Sequence, residues 1–365
     1  MSADLEEPPH NGADLLDLMR DMFKLFTVQQ SAHHYSALAL FAAYTHLSGS
    51  FRYAPRLVIT SAEKQSGKTR TLDILRELVS RPLVSANATV AALFRTIGDD
   101  PDHPPTLILD EADTVFGTRT KAEQNEDLRG LLNAGFQKGT PALRTVGPKH
   151  EVQEFETFAP AVLAAIGTLP DTITDRAVVL RLRRRKPSDH VERYRLRYAD
   201  RLHVIRGDVA QWATGHALAA AEHIPDTELD DRPADVWEPL LTIADFAGGH
   251  WPETARAAAR YLVSEAAGTE AEISEGIELL TDIRAVLELM RSDRLATSAL
   301  LEHLRSIEDS RWKEYELNGH RLARLLKSYA ITPKRSNSHR YYVRAEFEDA
   351  FLRYLPAPTT TDEQA

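Results

Sequence analysis

The chain alternates short runs of consecutive apolar residues with longer segments in which apolar residues recur every three or four positions. Short apolar runs are typical of strands buried on both faces of a parallel sheet, and the longer periodicity is typical of helices. Apolar runs predict five buried strands, at residues 57–60, 82–87, 106–110, 161–166 and 177–182. Because helical segments follow several of these runs, the sequence predicts an α/β fold with a five-stranded parallel sheet.

The remaining pattern places helices and a hairpin around this sheet. Residues 13–49 and 190–262 have helical periodicity, whereas residues 142–155 alternate around Gly147-Pro148-Lys149-His150 and predict a β-hairpin. The predicted domains are an N-terminal helical segment (1–50), an α/β core (51–186), a helical region (187–275), a C-terminal domain (276–356) and a disordered tail (357–365).

Composition narrows the class of protein. The 365 residues contain no cysteine and carry a formal net charge of −10. The longest apolar run, around residues 37–44, is too short to span a bilayer. These features predict a cytoplasmic protein without disulfides or membrane spans, and its acidity argues against indiscriminate coating of nucleic acid.

The most informative segment follows the first predicted strand. Gly67-Lys68-Thr69 comes at the end of a short loop and at the start of a predicted helix. Strand, loop and helix in this order form the P-loop arrangement, in which unpaired backbone N–H groups at the helix start bind phosphate. Lys68 is predicted to contact the β- and γ-phosphates of ATP, and the Thr69 hydroxyl to bind Mg²⁺. The predicted nucleotide-binding loop comprises Ala62, Glu63, Lys64, Gln65, Ser66, Gly67, Lys68, Thr69 and Arg70.

One position of this loop departs from the common motif. Ala62 stands where the motif has glycine. Either the backbone keeps a negative φ at Ala62, or the loop departs slightly from the usual shape. A Gly-Lys-Thr triplet also arises by chance, so the loop needs support from a second motif.

An acidic pair supplies that support. The apolar run from Thr106 ends in Asp110-Glu111, so a buried strand delivers two carboxylates at its C-terminal end. Asp110 is predicted to bind Mg²⁺ through its water shell, and Glu111 to orient the attacking water. The alternative is that Asp110, Glu111 and Asp113 only favour the start of a helix. The phosphate loop upstream favours the hydrolytic interpretation. The spelling Asp-Glu-Ala-Asp is coincidental, because the chain lacks the Ser-Ala-Thr motif and second ATPase-like domain of the RNA helicases named after it.

The order of motifs resembles that of the AAA+ ATPases, which have a RecA-like sheet followed by a helical lid. Ile166-Gly167-Thr168 ends the fourth predicted strand, and Arg176 precedes the fifth. The resemblance implies that Thr168 is the first sensor and that Arg176 is an arginine finger reaching a neighbouring subunit. It also implies that Asn87 couples ligand binding to Glu111, and that Arg256 is the second sensor.

Each of these roles has a plainer alternative. Arg176 can be a surface arginine paired with Asp175, Arg256 an exposed helix charge, and Asn87 a turn residue. These alternatives stay open at the level of sequence.

Longer phrases resemble a narrower family. They are residues 61–69, 109–117, 128–135, 169–176 and 236–252, and the likeness covers about residues 14–356. The family they resemble is an uncharacterised group of helicase-like ATPases of phages and mobile elements, often fused to primase modules. This chain has no primase module, so the resemblance does not imply priming activity.

The C-terminal segment predicts a nucleic-acid contact. Three predicted helices (281–290, 297–304 and 318–329) precede two short strands (332–335 and 340–344), which is a winged-helix order. Residues 311–344 hold nine Lys/Arg and two Glu, a local basic patch that suits phosphates. The candidate DNA contacts are Arg321, Arg324, Lys327, Lys334, Arg335 and Arg340, with Lys149 at the hairpin tip. A protein-docking winged helix and an ordinary surface turn at Lys149 are the alternatives. A second basic run, Arg181 to Lys186, fits a solvated face, a subunit contact or a DNA contact.

Together these features predict an AAA+ motor that hydrolyses ATP with Mg²⁺, assembles as a homo-oligomer in the form of a ring, and remodels or translocates on DNA. One alternative is a helicase loader or replication initiator working with replication proteins. The other is a nucleotide-switched regulator or defence protein whose winged helix binds a protein.

Overall fold

A computed structural model describes residues 11–63, 65–84, 90–116, 125–146, 151–167, 169–290, 292–307, 312, 317–336 and 339–355. The chain divides into two units, Met1–Ser264 and Glu265–Ala365. The predicted boundaries at residues 50, 186 and 275 stay predictions.

The first unit is built from alternating strands and helices. Its strands are β1 (Arg56–Ser61), β2 (Pro82–Val84), β3 (Thr106–Leu109), β4 (Ala142–Val146), β5 (Glu151–Phe155), β6 (Ala161–Ile166) and β7 (Ala177–Leu182). Its helices are α1 (Gly12–Phe26), α2 (Ala32–Tyr44), α3 (Lys68–Leu78), α4 (Val90–Gly98), α5 (Ala112–Phe116), α6 (Glu126–Ala134), α7 (Asp171–Thr174), α8 (Ala199–Thr214), α9 (Ala217–Glu222) and α10 (Asp231–Ala247); α11 (Trp251–Met290) starts in this unit, and residues 48–50 and 196–198 form 3₁₀ turns.

Five strands form one parallel sheet in the order β2-β3-β6-β1-β7. The predicted α/β fold with a five-stranded parallel sheet is therefore confirmed. Every residue of β1 is buried, as expected for a central strand covered on both faces. Because the strands are parallel, all five carboxyl ends meet at one edge of the sheet. We call this the carboxyl edge, and the opposite one the amino edge.

Each face of the sheet packs against a different set of helices. Leu57 and Ile59 of β1 belong to a core shared with α1, α2, α3, α8 and α10. Val58, which points the other way because strand side chains alternate, packs with Leu93 and Phe94 of α4 and with α5 and α6. The amphipathic helix α1 and the almost entirely buried helix α2 thus cover one face of the sheet.

The predicted hairpin is present as β4 and β5, paired antiparallel. Arg144 lies over the Phe94 ring and pairs with Asp127 at 2.8 Å, whereas Leu143 and Val152 are exposed. Lys149 and the rest of the predicted tip, residues 147–150, lie outside the described residues.

The segment after β7 differs from its prediction. The sequence pattern predicts a helix from residue 190, but residues 183–195 are irregular and α8 begins at Ala199. The Glu192 N–H donates to the Leu25 carbonyl at 2.8 Å, and the rings of Tyr194 and Tyr198 pack edge-on against Phe26. These contacts with α1 outweigh local helical propensity.

The helix predicted over residues 281–290 is the last part of a longer one. Helix α11 runs for 40 residues without a break. The second residue of this helix is Pro252, and no further proline occurs up to Met290. No interior residue therefore lacks the backbone N–H that the helical hydrogen bonds need.

The second unit adds a small antiparallel sheet to helices. After α11 it contains β8 (Arg294–Ala296), α12 (Thr297–Ser306), α13 (Gly319–Lys327), β9 (Lys334–Arg335), β10 (Arg340–Val343) and α14 (Ala345–Tyr354). The sheet order is β8-β10-β9. The predicted helices and the β9–β10 hairpin are present, while β8 and α14 go beyond the prediction. A separate core holds this unit together, including Leu300, Leu322, Leu326, Tyr342 and Phe347.

Within the described part of the chain, no helix is both long enough and apolar enough to cross a membrane.

Candidate functional site at the carboxyl edge

The loop between β1 and α3 turns sharply at a glycine. Gly67 has φ 93°, in the left-handed region that residues with a Cβ rarely adopt, and α3 begins directly after it at Lys68. Gln65, at φ 62°, is also left-handed. The first backbone N–H groups of any helix have no partner within it, so α3 presents donors to the loop. This geometry fits an anion site.

Lys68 lies over this loop. Its ammonium donates to Ser61 Oγ at 2.5 Å and to Ser66 Oγ at 3.4 Å. Burial lowers the pKa of Lys68, and the negative charges of Asp113 and Asp110 oppose that shift. The predicted phosphate-binding lysine and Asp110 of the predicted acidic pair, far apart in sequence, are therefore electrostatic neighbours.

The acidic pair leaves β3 in an unusual backbone conformation. Asp110 and Glu111 are both exposed, and Glu111 has φ 54°. A left-handed residue with a Cβ costs about 1–3 kcal/mol and tends to occur at functional sites. The Glu111 N–H donates to Asp110 Oδ1 at 2.8 Å, so the carboxylate of Asp110 stabilises the turn that projects Glu111 from the end of the strand.

The end of β6 joins the other two strand ends. The Gly167 N–H donates to the Ser61 carbonyl at 2.9 Å, and the Ile166 N–H donates to Asp113 Oδ1 at 2.9 Å. The sequence indicates Asp113 only as a residue favouring a helix start, because no local pattern reveals its bond to β6. Thr168, the predicted sensor, lies outside the described residues, as does Asn87.

Oxygen donors for a cation are present at this edge. Thr69, in the first turn of α3, and Asp110 are exposed. Among the described residues, no group of three or more His, Asp or Glu side chains could hold a metal ion. Mg²⁺ commonly takes one or two protein ligands and completes its shell with water and substrate phosphates, so Thr69 and Asp110 suit it.

The rest of the predicted loop has mixed exposure. Ala62 and Glu63 are exposed, Ser66 is buried, and Lys64 lies outside the described residues. The guanidinium of Arg70 lies 5.2 Å from the centre of the Tyr194 ring. The segment after β7 therefore covers the first turn of α3.

An ion pair that the sequence does not predict lies at the same edge. Arg184 Nε is 3.2 Å from Glu63 Oε2, and both side chains are more than half exposed, at 56% and 64%. The sequence indicates the basic run containing Arg184 only as a general surface feature. The pairing of β1 with β7 is what brings it to the loop.

Arg176 lies at the opposite edge of the sheet. It precedes β7, donates to the Thr172 carbonyl at 2.7 Å and lies 5.9 Å from the centre of the Phe136 ring. Burial and the charge of Arg232 lower the pKa of Arg176, against the opposing charge of Asp175. At about 3.3 Å per residue, the length of β1 separates this edge from Lys68 by roughly 20 Å. Arg176 and Lys68 of one chain are not brought together.

Arg256 is committed to a charge cluster among the helices. It makes two bonds to Asp245, at 2.7 and 3.2 Å, and a third from Nε to the Asp226 carbonyl at 2.9 Å. His223 Nε2 lies 2.9 Å from the same carboxylate. Although burial alone would raise it, the pKa of Asp245 is lowered by the bonds from Arg256 and His223. Its described contacts place Arg256 in a partly buried ion pair.

The basic residues of the second unit differ in pairing and in exposure. Arg321 pairs with Glu275, and Lys334 pairs with Glu346 at 2.7 Å. The exposed members of the predicted set are Arg324, Lys327, Lys334, Arg335 and Arg340. In α13 the basic residues lie opposite a buried face of Leu322, Leu325 and Leu326. Arg321 is thus the predicted contact most engaged within its own unit.

The first turn of α13 is capped by a side chain and borders a cleft. Asn318 Oδ1 accepts the N–H groups of His320 and Arg321, at 3.1 and 3.0 Å. A cleft of about 310 Å³ lies there, lined by Asn318, His320, Arg321 and Arg324.

Comparison with known proteins finds a family for this chain. A family model described as a protein of unknown function (DUF3631) matches residues 181–354. A relative from Saccharopolyspora erythraea, described as an uncharacterised 28.9 kDa protein in the xis 5′ region, is 37% identical over 185 residues. The match covers 48% of this chain and 69% of the relative. This chain therefore belongs to the same protein family as the Saccharopolyspora erythraea protein.

Proposed function

We propose that the protein is an AAA+ type P-loop ATPase that hydrolyses ATP at the carboxyl edge of its sheet and uses the energy to act on DNA. One observation carries the proposal. The loop at Gly67 with the ammonium of Lys68, and the acidic pair Asp110-Glu111, come from two separate segments at one edge of the sheet, where Lys68 and Asp110 interact electrostatically. Phosphate binding, charge neutralisation and water activation need these three features together.

The proposed roles follow from the chemistry of each group. The N–H groups of residues 62–70 hold the phosphates, and Lys68 neutralises the β- and γ-phosphates. Thr69 and Asp110 would hold Mg²⁺, which would supply further charge neutralisation. Glu111 orients the attacking water and accepts its proton. Thr168 and Asn87 keep their predicted roles as polar groups near the γ-phosphate.

Arg176 completes the site only between molecules. Because roughly 20 Å of strand separates it from Lys68 of its own chain, it serves as an arginine finger only for the nucleotide of a second copy. The finger assignment therefore requires a homo-oligomer, and we propose that repetition of this head-to-tail contact closes a ring.

The second unit supplies the proposed DNA contact. Its helices α12 and α13 and its three short strands fit a winged helix, with α13 as the helix that enters a groove. Its exposed cations suit DNA phosphates, and Lys149 remains a predicted contact of the first unit.

The ion pairs of Arg321 and Lys334 favour a second candidate function. Internally paired cations leave less free charge for DNA, which suits a nucleotide-switched regulator whose second unit docks on a protein. A helicase loader or initiator is the intermediate case, in which DNA binding is real and ATP gates assembly with replication proteins.

ATP turnover with and without nucleic acid tests the proposal. We expect Mg²⁺-dependent phosphate release that Lys68→Ala abolishes and that single- or double-stranded DNA stimulates. Strand displacement would separate a motor from a loader. Turnover that no nucleic acid changes would favour the regulator, and a wild-type protein that binds no nucleotide would refute the ATPase.

The DNA contact has its own test. Neutralising Arg321, Arg324, Lys334 and Arg335 together should weaken DNA binding and flatten its salt dependence, by about 0.7–0.9 in the logarithmic slope for each phosphate that the protein no longer neutralises. Because Arg321 and Lys334 are already paired, the Arg324→Gln/Arg335→Gln protein should account for most of the weakening. The Arg321→Gln/Lys334→Gln protein is the matched control. An unchanged slope in the fourfold variant would remove the second unit as the DNA contact.

A further inference from the structure

The register of β1 and β7 fixes where Arg184 stands. Ser61 is the partner of Leu182 across the two strands, so Glu63 and Arg184 leave the sheet side by side, each two residues further on. Their side chains meet at 3.2 Å. The position of Arg184 beside the β1–α3 loop therefore follows from backbone pairing.

The chain beyond Arg184 keeps it there. Tyr194 packs against Phe26 with ring centres 5.3 Å apart and is covered by Arg70 from the first turn of α3. Residues 183–193 are thus held at one end by the sheet and at the other by α1 and α3. This confines Arg184 to the rim of the loop.

Glu63, one partner of Arg184, is more than half exposed and carries a charge that is unfavourable beside phosphates. Glu63 puts a carboxylate in a loop proposed to hold phosphates, where its negative charge opposes phosphate binding. Exposed ion pairs contribute little, so exchanging Glu63 for a phosphate costs Arg184 little. Guanidinium can bind phosphate through two parallel hydrogen bonds, and a phosphate chain already fixed by the loop carries more negative charge than the single exposed carboxylate that it displaces.

The sheet order gives the direction from which Arg184 approaches. β7 lies on one side of β1, and β6 and β3 lie on the other side. Asp110 and Glu111 follow the end of β3. The water-activating groups mark the γ-phosphate side. Arg184 therefore reaches the other end of the phosphate chain.

We infer that Arg184 binds the α- and β-phosphates of the nucleotide held by its own chain, and that Glu63 holds Arg184 at the rim until nucleotide arrives. The inference rests on the proposed ATP site and names a ligand that the motif does not include. It assigns to the basic run after β7 a role in nucleotide binding.

Nucleotide affinity of the full chain tests it by isothermal titration calorimetry with Mg²⁺. Arg184→Gln should weaken ADP and ATP by similar factors, about tenfold to a hundredfold, because both carry the α- and β-phosphates. Arg184→Lys should recover part of the affinity. The neighbouring Arg183→Gln, exposed in the same run, is the matched control and should bind like wild type. A loss at least tenfold greater for ATP than for ADP would place Arg184 at the γ-phosphate and overturn the inference.

Glu63→Gln separates direct contact from charge masking. In that background Arg184→Gln should still weaken ADP binding by the same factor. If its effect disappears, Arg184 acts only by neutralising Glu63, and the direct contact is wrong. Wild-type affinity in Arg184→Gln would overturn this inference alone, whereas a wild-type protein that binds neither nucleotide would refute the ATP site itself. Thermal unfolding of each variant checks that the fold is retained.

Discussion

Charged side chains at the two edges of the five-stranded sheet differ in burial and in the partners they bond. At the amino edge Arg56 is 1% exposed and donates to three backbone carbonyls, those of Ala54, Leu132 and Ala159, at 3.0, 2.6 and 2.5 Å. Burial lowers its pKa to about 10, so it stays charged at neutral pH. The hydrogen bonds of Arg56 link β1 to the segments around it.

At the carboxyl edge the charged groups are solvated or partnered with one another. Glu111 and Asp110 are exposed, Lys68 bonds to hydroxyls of its own loop, and Glu63 pairs with Arg184. A buried cation satisfied by fixed carbonyls is structural, because moving it would leave those carbonyls unpaired. Groups held by weak, exchangeable partners remain available to a ligand. The contrast therefore separates a structural cation, Arg56 at the amino edge, from charged groups at the carboxyl edge that a ligand can engage.

The largest effect should come from Glu111→Gln. The amide keeps the size and polarity of the side chain but cannot accept the proton of the attacking water. ATP should still bind, while turnover should fall by as much as about 10⁴-fold. Phosphate release and ATP affinity measure the two steps, and Glu154→Gln, exposed on β5, is the control. Near-normal turnover would remove Glu111 from its assigned role.

Arg176→Ala tests whether the amino edge serves a second molecule. ATP binding should be retained, and turnover should fall on the order of 10³-fold, because the finger's charge is removed from the transition state. Mixing this variant with Lys68→Ala should restore part of the activity, since each supplies what the other lacks. Arg232→Ala is the matched control, because Arg232 lies 5.2 Å from the centre of the same Phe136 ring. Full activity in a monomeric Arg176→Ala protein would contradict the assignment.

Arg56→Met tests the structural side of the contrast. Three buried carbonyls would lose their donor, so the free energy of unfolding should drop by about 3 kcal/mol. Urea unfolding measures the drop, and Arg52→Met, on an exposed neighbour, should change it by less than about 0.5 kcal/mol. ATP affinity of the folded protein should be unchanged. A stability equal to that of wild type would show that the carbonyls find other donors.

The last effect needs no substitution and concerns two further titratable groups of this unit, His34 and His46. Burial lowers the pKa of His34 and of His46 to about 4. An unfolded histidine titrates near 6.5, so between these values the unfolded state binds more protons. Stability is therefore complete above about pH 6.5 and falls toward pH 4, by at most about 1.4 kcal/mol per pH unit for each histidine. Urea unfolding at pH 7 and pH 5 measures this, and His34→Gln should lose part of the pH dependence. A pH-independent stability would contradict it.

The local pattern of apolar and polar residues is sufficient to predict the positions of β1, β6 and β7 and of the loop at Gly67. β6 and β7 fall on the predicted residues, and β1 extends one residue further at each end, because continuous apolar runs bounded by polar residues leave little freedom. The loop at Gly67 can be placed because its spacing to a strand and a helix is a local property.

Contacts between residues that are far apart in the sequence could not be predicted from local patterns. Glu63 meets Arg184 only through strand register, and Arg256 meets Asp245 only through helix packing. The irregular course of residues 183–195 likewise follows from contacts with Phe26. No periodicity encodes such contacts, since each partner alone looks like an ordinary surface charge or a helical residue.

The left-handed backbone of Glu111 has a consequence for any attempt to improve this protein. Glycine adopts φ 54° without steric cost, so Glu111→Gly should stabilise the fold by up to about 1 kcal/mol while removing the carboxylate that hydrolysis is proposed to need. Selection for heat resistance alone would therefore favour inactive chains at this position. Only selection that also demands turnover would retain the strained glutamate.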